Sequence, residues 1–215
     1  MVRDRSKDVP DKSRADDFVR SASALFARQG FDRTTIREIA LALDVASGTL
    51  FYHFATKEDL LEAIIRKGIA DGYEWALDAL SHVPSGPLVR FLTLATAHLE
   101  VVHGELRHVH RVWIREWDRL SPKARERMRP GARKYRDLLD GILGDLQAAG
   151  HLRSEPTMAR HLILPALNWT TSWSHLLTQS ARTELARQVC AALLNLTTAQ
   201  FDDLLERESA GSQHT

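Results

Sequence analysis

The sequence predicts an all-α protein of about nine helices, with an N-terminal three-helix domain and a larger C-terminal helical domain. Three observations support this prediction. Apolar residues recur at intervals of three and four along most of the chain, which is the period of an amphipathic helix. Helix-capping patterns, in which Thr precedes an acidic residue by three positions, stand before two of the segments. No segment shows the alternation of a strand, and no repeat is present.

The N-terminal end of the chain is polar. We expect residues 1–13 to form a disordered tail, because most of them are charged or polar. The first helix is predicted from Arg14 to Gln29, where Gly30 ends it. Its apolar face comprises Ala15, Phe18, Ala22, Leu25 and Phe26.

Residues 34–59 have the pattern of a helix-turn-helix followed by the start of another helix. Thr35 and Glu38 form a capping-box pattern, and the helix they open is predicted to end at Asp44, which tolerates the left-handed backbone of a tight turn. The second short helix is predicted from about Ala46 to Phe54. Its outward residues are Ser47, Gly48, Thr49, Tyr52 and His53. The first three are small enough for the backbone to approach a surface closely.

A third helix is predicted from Lys57 to about Leu80, and it is capped by Thr56 with Asp59 three residues later. A helix N-terminus beside a lysine is suited to bind a phosphate group.

The later helices are separated mainly by Pro and Gly, which interrupt helical patterns. The predicted segments are 87–103, 105–120, 122–129, 132–149, 156–178 and 181–205. Residues 208–215 are expected to form a second tail. The apolar content of the last two helices exceeds what one helix face can bury, so we expect them to pair with a second copy of the chain.

The composition excludes several classes of protein. Hydrophobic residues make up 44% and charged residues 27% of the 215-residue chain, which is ordinary for a soluble globular protein. No apolar run approaches the roughly 20 residues of a membrane span, and the charged N-terminus is not a secretory signal. A single cysteine, Cys190, excludes an internal disulfide and fits a cytoplasmic location.

The helix-turn-helix stretch resembles the DNA-binding domain of the TetR family of repressors. The resemblance is carried by Gly30-Phe31, Thr34-Thr35-Ile36, Glu38-Ile39-Ala40, Val45, Gly48, Leu50, His53-Phe54 and Lys57-Glu58-xx-Leu61. The family usually has Gly at the position of Asp44 and Tyr at that of Phe51. The resemblance implies a DNA-binding domain at 14–56 and a ligand-binding and dimerisation domain at 57–207, joined by the connector helix 57–80.

The resemblance also implies roles for individual residues. Ser47, Gly48 and Thr49 should approach base edges. The phosphate contacts should come from Thr35, Tyr52, His53 and Lys57. Arg37 could reach either kind of group. Because symmetric operators need two reading heads, the resemblance further implies a homodimer.

The charge of the chain does not by itself indicate a DNA-binding protein. The formal net charge of the chain is +1, and residues 1–72 contain 12 Lys or Arg and 12 Asp or Glu. Any electrostatic attraction must therefore come from the placement of Arg28, Arg33, Arg37 and Lys57 near the helix-turn-helix.

A second local pattern concerns the ligand. Residues 164–173, with Asn168-Trp169 and Trp173, resemble a signature of a TetR branch that responds to acyl-coenzyme A thioesters. Trp113 and Trp117 form a second pair at the same spacing of four. Two facing indole pairs could line an apolar slot, and the alternative is packing in the core or at the dimer interface.

Arg111 and Arg115, one helical turn apart, could bind the phosphates of such a thioester. The alternative is that they lie on a solvated face and pair with Glu116 and Asp118.

Other site types are not supported. The histidines at 98, 103, 108 and 110 lack the spacing of a metal site, and no nucleophile motif or phosphate-binding loop is present. We therefore predict no cofactor, no metal and no enzymatic activity.

The resulting hypothesis is a cytoplasmic transcriptional repressor that a small ligand, such as an acyl-CoA, releases from operator DNA. The alternative is a helical ligand- or metal-binding protein with a non-functional helix-turn-helix.

Overall fold

The computed structural model describes residues 12–172 and 177–211. Within these ranges all regular secondary structure is helical, which confirms the predicted all-α class, with ten α-helices where about nine were expected. The α-helices are α1 (Lys12–Gln29), α2 (Ile36–Ala42), α3 (Ser47–His53), α4 (Lys57–Ser81), α5 (Pro87–His103), α6 (Arg107–Glu116), α7 (Pro122–Ala148), α8 (Pro156–Trp169), α9 (Gln179–Leu193) and α10 (Thr198–Gly211). Short 3-10 helices follow α6 at Trp117–Arg119 and α8 at Thr170–Ser172. No described helix is long and apolar enough to cross a membrane.

The described residues form two compact units. The first contains the described residues up to Gly68 together with His108–Met128, and the second contains Ile69–Arg107 and the described residues from Arg129 onward. Three of the helices, α4, α6 and α7, contribute residues to both units. Part of the predicted ligand-binding region therefore belongs to the same compact unit as the helix-turn-helix.

The core of the first unit follows the predicted apolar faces. Phe18, Ala22, Leu25 and Phe26 of α1 are buried, and so are Ile39 of α2, Leu50 of α3 and several aliphatic residues of α4. Helix α1 begins at Lys12, two residues before the predicted start. The rest of the predicted N-terminal tail lies outside the described residues.

Helix α5 is central to the second unit, where it packs against α8, α9 and α10. Seventeen residues long, it has ten that are buried, including Phe91, Leu94 and Leu99. These side chains join a core to which α7 contributes Leu139, Leu143 and other residues. Such an element must be apolar on nearly all sides, which is why its sequence lacks a clear polar face.

Helix α7 corrects one predicted boundary. Pro130 and Gly131 were expected to divide it, yet one continuous helix runs from Pro122 to Ala148. Proline in a helix interior removes one backbone hydrogen bond and costs about 3 kcal/mol. Pro130 lies on the exposed side, so water can satisfy the carbonyl that it leaves open. Buried residues on both sides of it, Met128 and Leu139 among them, hold the helix in place.

The predicted last helix is in fact two helices. Asn195 adopts a left-handed conformation with φ of 58°, and the Leu196 N–H donates back to the carbonyl of Ala191 at 2.9 Å, which ends α9. Thr197 and Gln200 then form reciprocal hydrogen bonds that cap α10. The Thr-x-x-Gln pattern of a capping box was present in the sequence, but the apolar stripe that continues across the break masked it.

Helix α10 also changes the predicted C-terminal tail. Residues 208–211, expected to belong to the tail, are helical. The carboxylate of Glu208 accepts hydrogen bonds from the backbone N–H groups of Leu88 and Val89, at 3.1 and 2.9 Å. An acidic side chain at a helix N-terminus is favourable, and here it closes the first turn of α5.

Candidate nucleic-acid interface

The turn between α2 and α3 has the geometry of a helix-turn-helix. The Thr35 side chain caps α2 and the Glu38 side chain binds the Thr35 N–H, so the predicted capping box is confirmed. Asp44 has a positive φ of 52°, and the Val45 N–H donates to the Ala40 carbonyl at 3.0 Å. A non-glycine residue with positive φ carries a small backbone strain. Asp44 therefore adopts the left-handed turn conformation at the position where the TetR family usually has Gly.

Helix α3 exposes the side that was predicted to face DNA. Gly48 is exposed, Tyr52 is 53% exposed, and Ser47 and Thr49 are partly exposed, while Leu50 points into the core. The residue before the helix is Ala46, which has no side-chain oxygen to cap the first turn. The backbone N–H groups of that turn are therefore not satisfied by a side-chain cap, and they suit a phosphate oxygen.

Gly48 is not required by the protein's own packing. Apart from its chain neighbours and the backbone of its own helix, a Cβ added at this position would meet no protein atom within 4 Å, and its φ is not in the left-handed region. In a helix, glycine is less favourable than alanine by up to about 1 kcal/mol. Gly72, Gly141 and Gly144 have the same open space, so what distinguishes Gly48 is its place on the exposed side of α3.

Thr35 has little capacity left for a phosphate. Its backbone N–H donates to the Glu38 carboxylate at 2.6 Å, and its hydroxyl donates to the same oxygen at 2.9 Å. These bonds hold the pKa of Glu38 below its usual value. Because a hydroxyl has a single hydrogen to donate, Thr35 must release Glu38 before it can donate to DNA.

Lys57 is also engaged within the chain. Its ammonium donates to the carbonyls of Phe31 and Thr34 at 3.0 and 3.1 Å, and it lies 4.2 Å from the centre of the Phe31 ring. Two of its three donors are therefore used. The structure assigns Lys57 a role in holding the α1–α2 loop, which the sequence reasoning missed, and leaves one donor for a phosphate.

His53 faces inward more than predicted. Its ring packs 5.2 Å from that of Phe18 and 5.5 Å from that of Tyr52. Its Nδ1 is buried without a hydrogen-bond partner, so only Nε2 can serve a phosphate. Arg37 and Tyr52 are exposed, so their side chains are the donors best placed for the predicted contacts with DNA.

A further set of residues holds the α1–α2 loop from the other side. The Phe31 N–H donates to Glu116 at 3.4 Å, and Arg119 binds Asp32 with both terminal nitrogens, at 2.9 and 2.6 Å. Glu116 and Arg119 are themselves paired at 2.5 Å. All four residues belong to the first unit. The loop that leads into Thr35 is thus fixed by residues about 85 positions away in sequence.

In the second unit, the predicted ligand residue Asn168 belongs to a buried polar chain. Its Oδ1 lies 3.0 Å from Nε2 of His98, whose Nδ1 lies 2.8 Å from the hydroxyl of Tyr135. Burial lowers the pKa of His98 and raises that of Tyr135. A neutral His98 that donates from Nε2 and accepts at Nδ1 satisfies both partners.

Trp169 lies on the exposed side of α8. It is 68% exposed, and Met158 and Leu162, 55% and 56% exposed, share its side of α8 at helical spacing. Pro165 and Ala166 complete this exposed face. This exposure is against core packing of Trp169, whereas its roles in a dimer interface and in the slot stay predictions. Its predicted pair, Trp173, lies outside the described residues.

The remaining predicted ligand residues, Arg111, Trp113, Arg115 and Trp117, belong to the first unit, whereas Asn168 and Trp169 belong to the second. Arg115 is exposed, the other three are partly buried, and Trp113 packs edge-on against His110. The facing of the two tryptophan pairs stays a prediction.

No group of three His, Cys, Asp or Glu side chains among the described residues is placed to hold a metal ion. Of the clustered histidines, His98 belongs to the polar chain above and His103 bonds the hydroxyl of Thr170 at 2.8 Å.

Two family models match the chain. The model for bacterial regulatory proteins of the tetR family matches residues 18–64, and that for the tetracyclin repressor-like C-terminal domain matches residues 85–197. A curated relative is the repressor KstR2 of Mycolicibacterium smegmatis, 31% identical over 99 residues. The match covers 45% of each protein, so the chain spans about half the length of this relative. The regulator HbdR of Aromatoleum sp. is 23% identical over 163 residues, 76% of this chain and 69% of that protein.

Solved structures share the fold. AibR, in complex with isovaleryl coenzyme A and operator DNA, superposes with a TM-score of 0.76 at 21% identity, covering 86% of this chain and 100% of that one. KstR2 of Mycobacterium tuberculosis gives 0.73 at 22% identity, covering 86% and 95%. The superantigen PfiT gives 0.70 at 28% identity, covering 86% and 96%.

Proposed function

Because the chain belongs to the TetR family of bacterial regulatory proteins, we propose that it is a cytoplasmic transcriptional repressor that a small ligand releases from operator DNA. One observation supports DNA binding above the others. Helix α3 exposes a glycine that the protein's own packing does not need, beside Tyr52 and an uncapped first turn. A surface of this kind suits close approach to a DNA groove, with phosphates at its edge.

In this proposal, residues 14–56 form the DNA-binding domain. Ser47, Gly48 and Thr49 approach base edges, Tyr52 binds a phosphate, and Arg37 binds a phosphate or a groove edge. Thr35, His53 and Lys57 remain in the interface, but their contacts within the chain limit each of them to a smaller share of the phosphate binding.

The test of DNA binding is a mobility shift over a range of salt concentrations. Each phosphate contact from a Lys or Arg that is lost lowers the slope of log affinity against log salt by about 0.9, whereas the loss of an uncharged hydroxyl contact lowers affinity without changing the slope. Tyr52→Phe should weaken binding at all sequences, whereas Thr49→Ala should change which operator is preferred. Binding that is equally tight for every DNA sequence and insensitive to salt would reject the proposal and favour a protein with a non-functional helix-turn-helix.

We further propose that the exposed face of α8 pairs two copies of the chain. Met158, Leu162 and Trp169 form an apolar stripe that a monomer would leave in water. Leu193 of α9 packs partly buried against the core of the second unit, so Leu162 is the better position to perturb.

Leu162→Asp places a charge on the proposed interface and should produce a monomer in sedimentation. Glu206→Lys, at an exposed position on α10, is a control for a surface charge change and should leave the assembly intact. If the Leu162→Asp variant still formed a dimer that dissociated no more readily than the unaltered protein, the interface would lie elsewhere.

The proposed effector is an acyl-CoA thioester, bound by residues 57–207. The sequence signature around Asn168, the arginines at 111 and 115, and the fold shared with AibR support this class of ligand. A ligand can release DNA only if it binds the released state more tightly than the DNA-bound state.

The effector test compares a short and a long acyl-CoA with free coenzyme A and the free acid, in the presence of operator DNA. The thioester should release the DNA at concentrations where neither half does. Arg111→Gln and Arg115→Gln should each weaken the release of DNA by the thioester. If the free acid released DNA at the same concentration as the thioester, the proposed role of the two arginines would be rejected.

A further inference from the structure

We propose that a groove beside Trp75, in the second unit, binds a hydrophobic organic cation. Trp75 lies on α4 and is 45% exposed. Three adjoining cavities, of about 490, 350 and 270 Å³, share this indole. The largest has the size of an ordinary small-molecule site. None of the residues assigned to the effector or to DNA lines the groove, so this inference does not depend on the function proposed above.

The floor of the largest cavity is mainly apolar. It lies among α4, α5 and α9, and its uncharged lining comprises Trp75, Ala79, Leu92, Thr93, Thr96, Ala97, Gln179 and Thr183. An alkyl chain laid along this floor would be removed from water, which gains about 0.8 kcal/mol per buried methylene. The groove therefore suits a ligand with an apolar tail.

The positive charge in the groove is already neutralised. Arg182 donates to Glu100 at 2.8 Å and to the carbonyl of Leu177 at 2.5 Å. The Arg182 and Glu100 side chains are 14% and 20% exposed. Among the residues that line the three cavities, Arg182 is the one with a cationic side chain. Among the lining residues, therefore, the one cationic side chain is already paired with a carboxylate.

The rim of the groove is acidic. Asp71, Glu74, Trp75 and Asp78 fall at positions i, i+3, i+4 and i+7 of α4, which is one helix face, and Glu105 lies opposite in the same cavity. An ammonium group over an indole face gains a cation–π interaction, and Trp is the best aromatic residue for it. Carboxylates around the same indole add electrostatic attraction.

These features select the occupant by charge. The anionic phosphates of coenzyme A would be repelled by the rim, whereas a protonated or quaternary amine with an alkyl tail satisfies both the rim and the floor. The groove thus presents a second ligand class, opposite in charge to the proposed effector.

The test uses isothermal titration of the full chain with decyltrimethylammonium below its micelle concentration, with decyl sulfate as the anionic probe of equal chain length. The cation should bind, and higher salt should weaken it because the rim is exposed. Trp75→Leu keeps an apolar side chain but removes the indole, and it should weaken binding about tenfold. The double variant Glu74→Gln, Asp78→Asn should also weaken it, whereas Asp203→Asn, Glu206→Gln on exposed α10 should not.

Circular dichroism of each variant establishes that it is folded, and operator binding is measured separately. Equal affinity for the two probes, or unchanged cation affinity in Trp75→Leu, would overturn the proposal. Weaker self-association of Trp75→Leu with unaltered cation binding would assign the indole to a contact between copies, and would overturn it as well. Loss of operator binding without loss of cation binding would reject the proposed function alone.

Discussion

Replacing Gly48 with alanine should have opposite effects on the stability of the protein and on its affinity for DNA. Beyond its chain neighbours and the backbone of its own helix, the added methyl group would meet no protein atom within 4 Å. Alanine loses less backbone entropy than glycine when a helix forms, so the variant should be more stable by about 0.5–1 kcal/mol. For a protein of this size such a gain raises the midpoint of thermal unfolding by roughly 1–4 °C.

The same methyl group should impair DNA binding. If the α3 backbone approaches a groove edge as proposed, the methyl must push the helix away and lengthen the contacts of its neighbours. Loss of one good contact of this type costs about 1–3 kcal/mol, which is between roughly fivefold and a hundredfold in affinity. A mobility shift with the operator, beside a thermal melt of the same preparation, measures both effects.

Gly141 provides the matched control. It is exposed within α7, and a Cβ there would also meet no atom within 4 Å. Gly141→Ala should therefore stabilise the protein to a similar extent and leave DNA binding unchanged. If Gly48→Ala bound the operator as tightly as the Gly141 variant did, the inferred close approach of α3 would be refuted.

Three further predictions follow from contacts inside the two units. Lys57→Met keeps the aliphatic stem but removes two charge-assisted hydrogen bonds to carbonyls. We therefore expect chemical denaturation to show a free energy of unfolding lower by about 1–3 kcal/mol. A variant that lost DNA affinity but no stability would contradict this prediction. Burial lowers the pKa of His98. As pH falls below about 6.5, this imidazole is therefore protonated in the unfolded chain before it is protonated in the folded protein. The free energy of unfolding should decrease there by up to about 1.4 kcal/mol per pH unit. His98→Asn should remove this share of the pH dependence, and an unchanged pH profile would show that His98 is not the group responsible. The Asp32–Arg119 pair is largely exposed, so a double-mutant cycle should give a coupling below about 1 kcal/mol; a larger value would mean that the pair is effectively desolvated.

The sequence predicted the helix-turn-helix closely because its signals are local. Each capping box involves residues three positions apart, and the turn at Asp44 depends on a single residue. The apolar faces of α1 and α4 repeat with the helical period. Signals of this kind need no knowledge of the rest of the chain.

Sequence reasoning reached less far where distant residues decide the outcome. Lys57 was assigned to phosphate because its own helix N-terminus suits one, and its hydrogen bonds to carbonyls 23 and 26 positions earlier were not foreseen. Glu208 looked like part of a tail, but it binds α5. The exposure of Trp169 depends on which side of α8 the core covers, and the spacing of tryptophans alone does not contain this information.

The hydrogen bonds from Leu88 and Val89 to Glu208 also affect the order in which the chain can be completed during synthesis. Leu88 is made 120 residues before the carboxylate that satisfies it, and domains fold from the N-terminal side as they emerge from the ribosome. Until α10 has been translated, the first turn of α5 must rely on water for these bonds. A ribosome that stalls before residue 208 would therefore present the second unit with its central helix open at one end, accessible to proteases or chaperones.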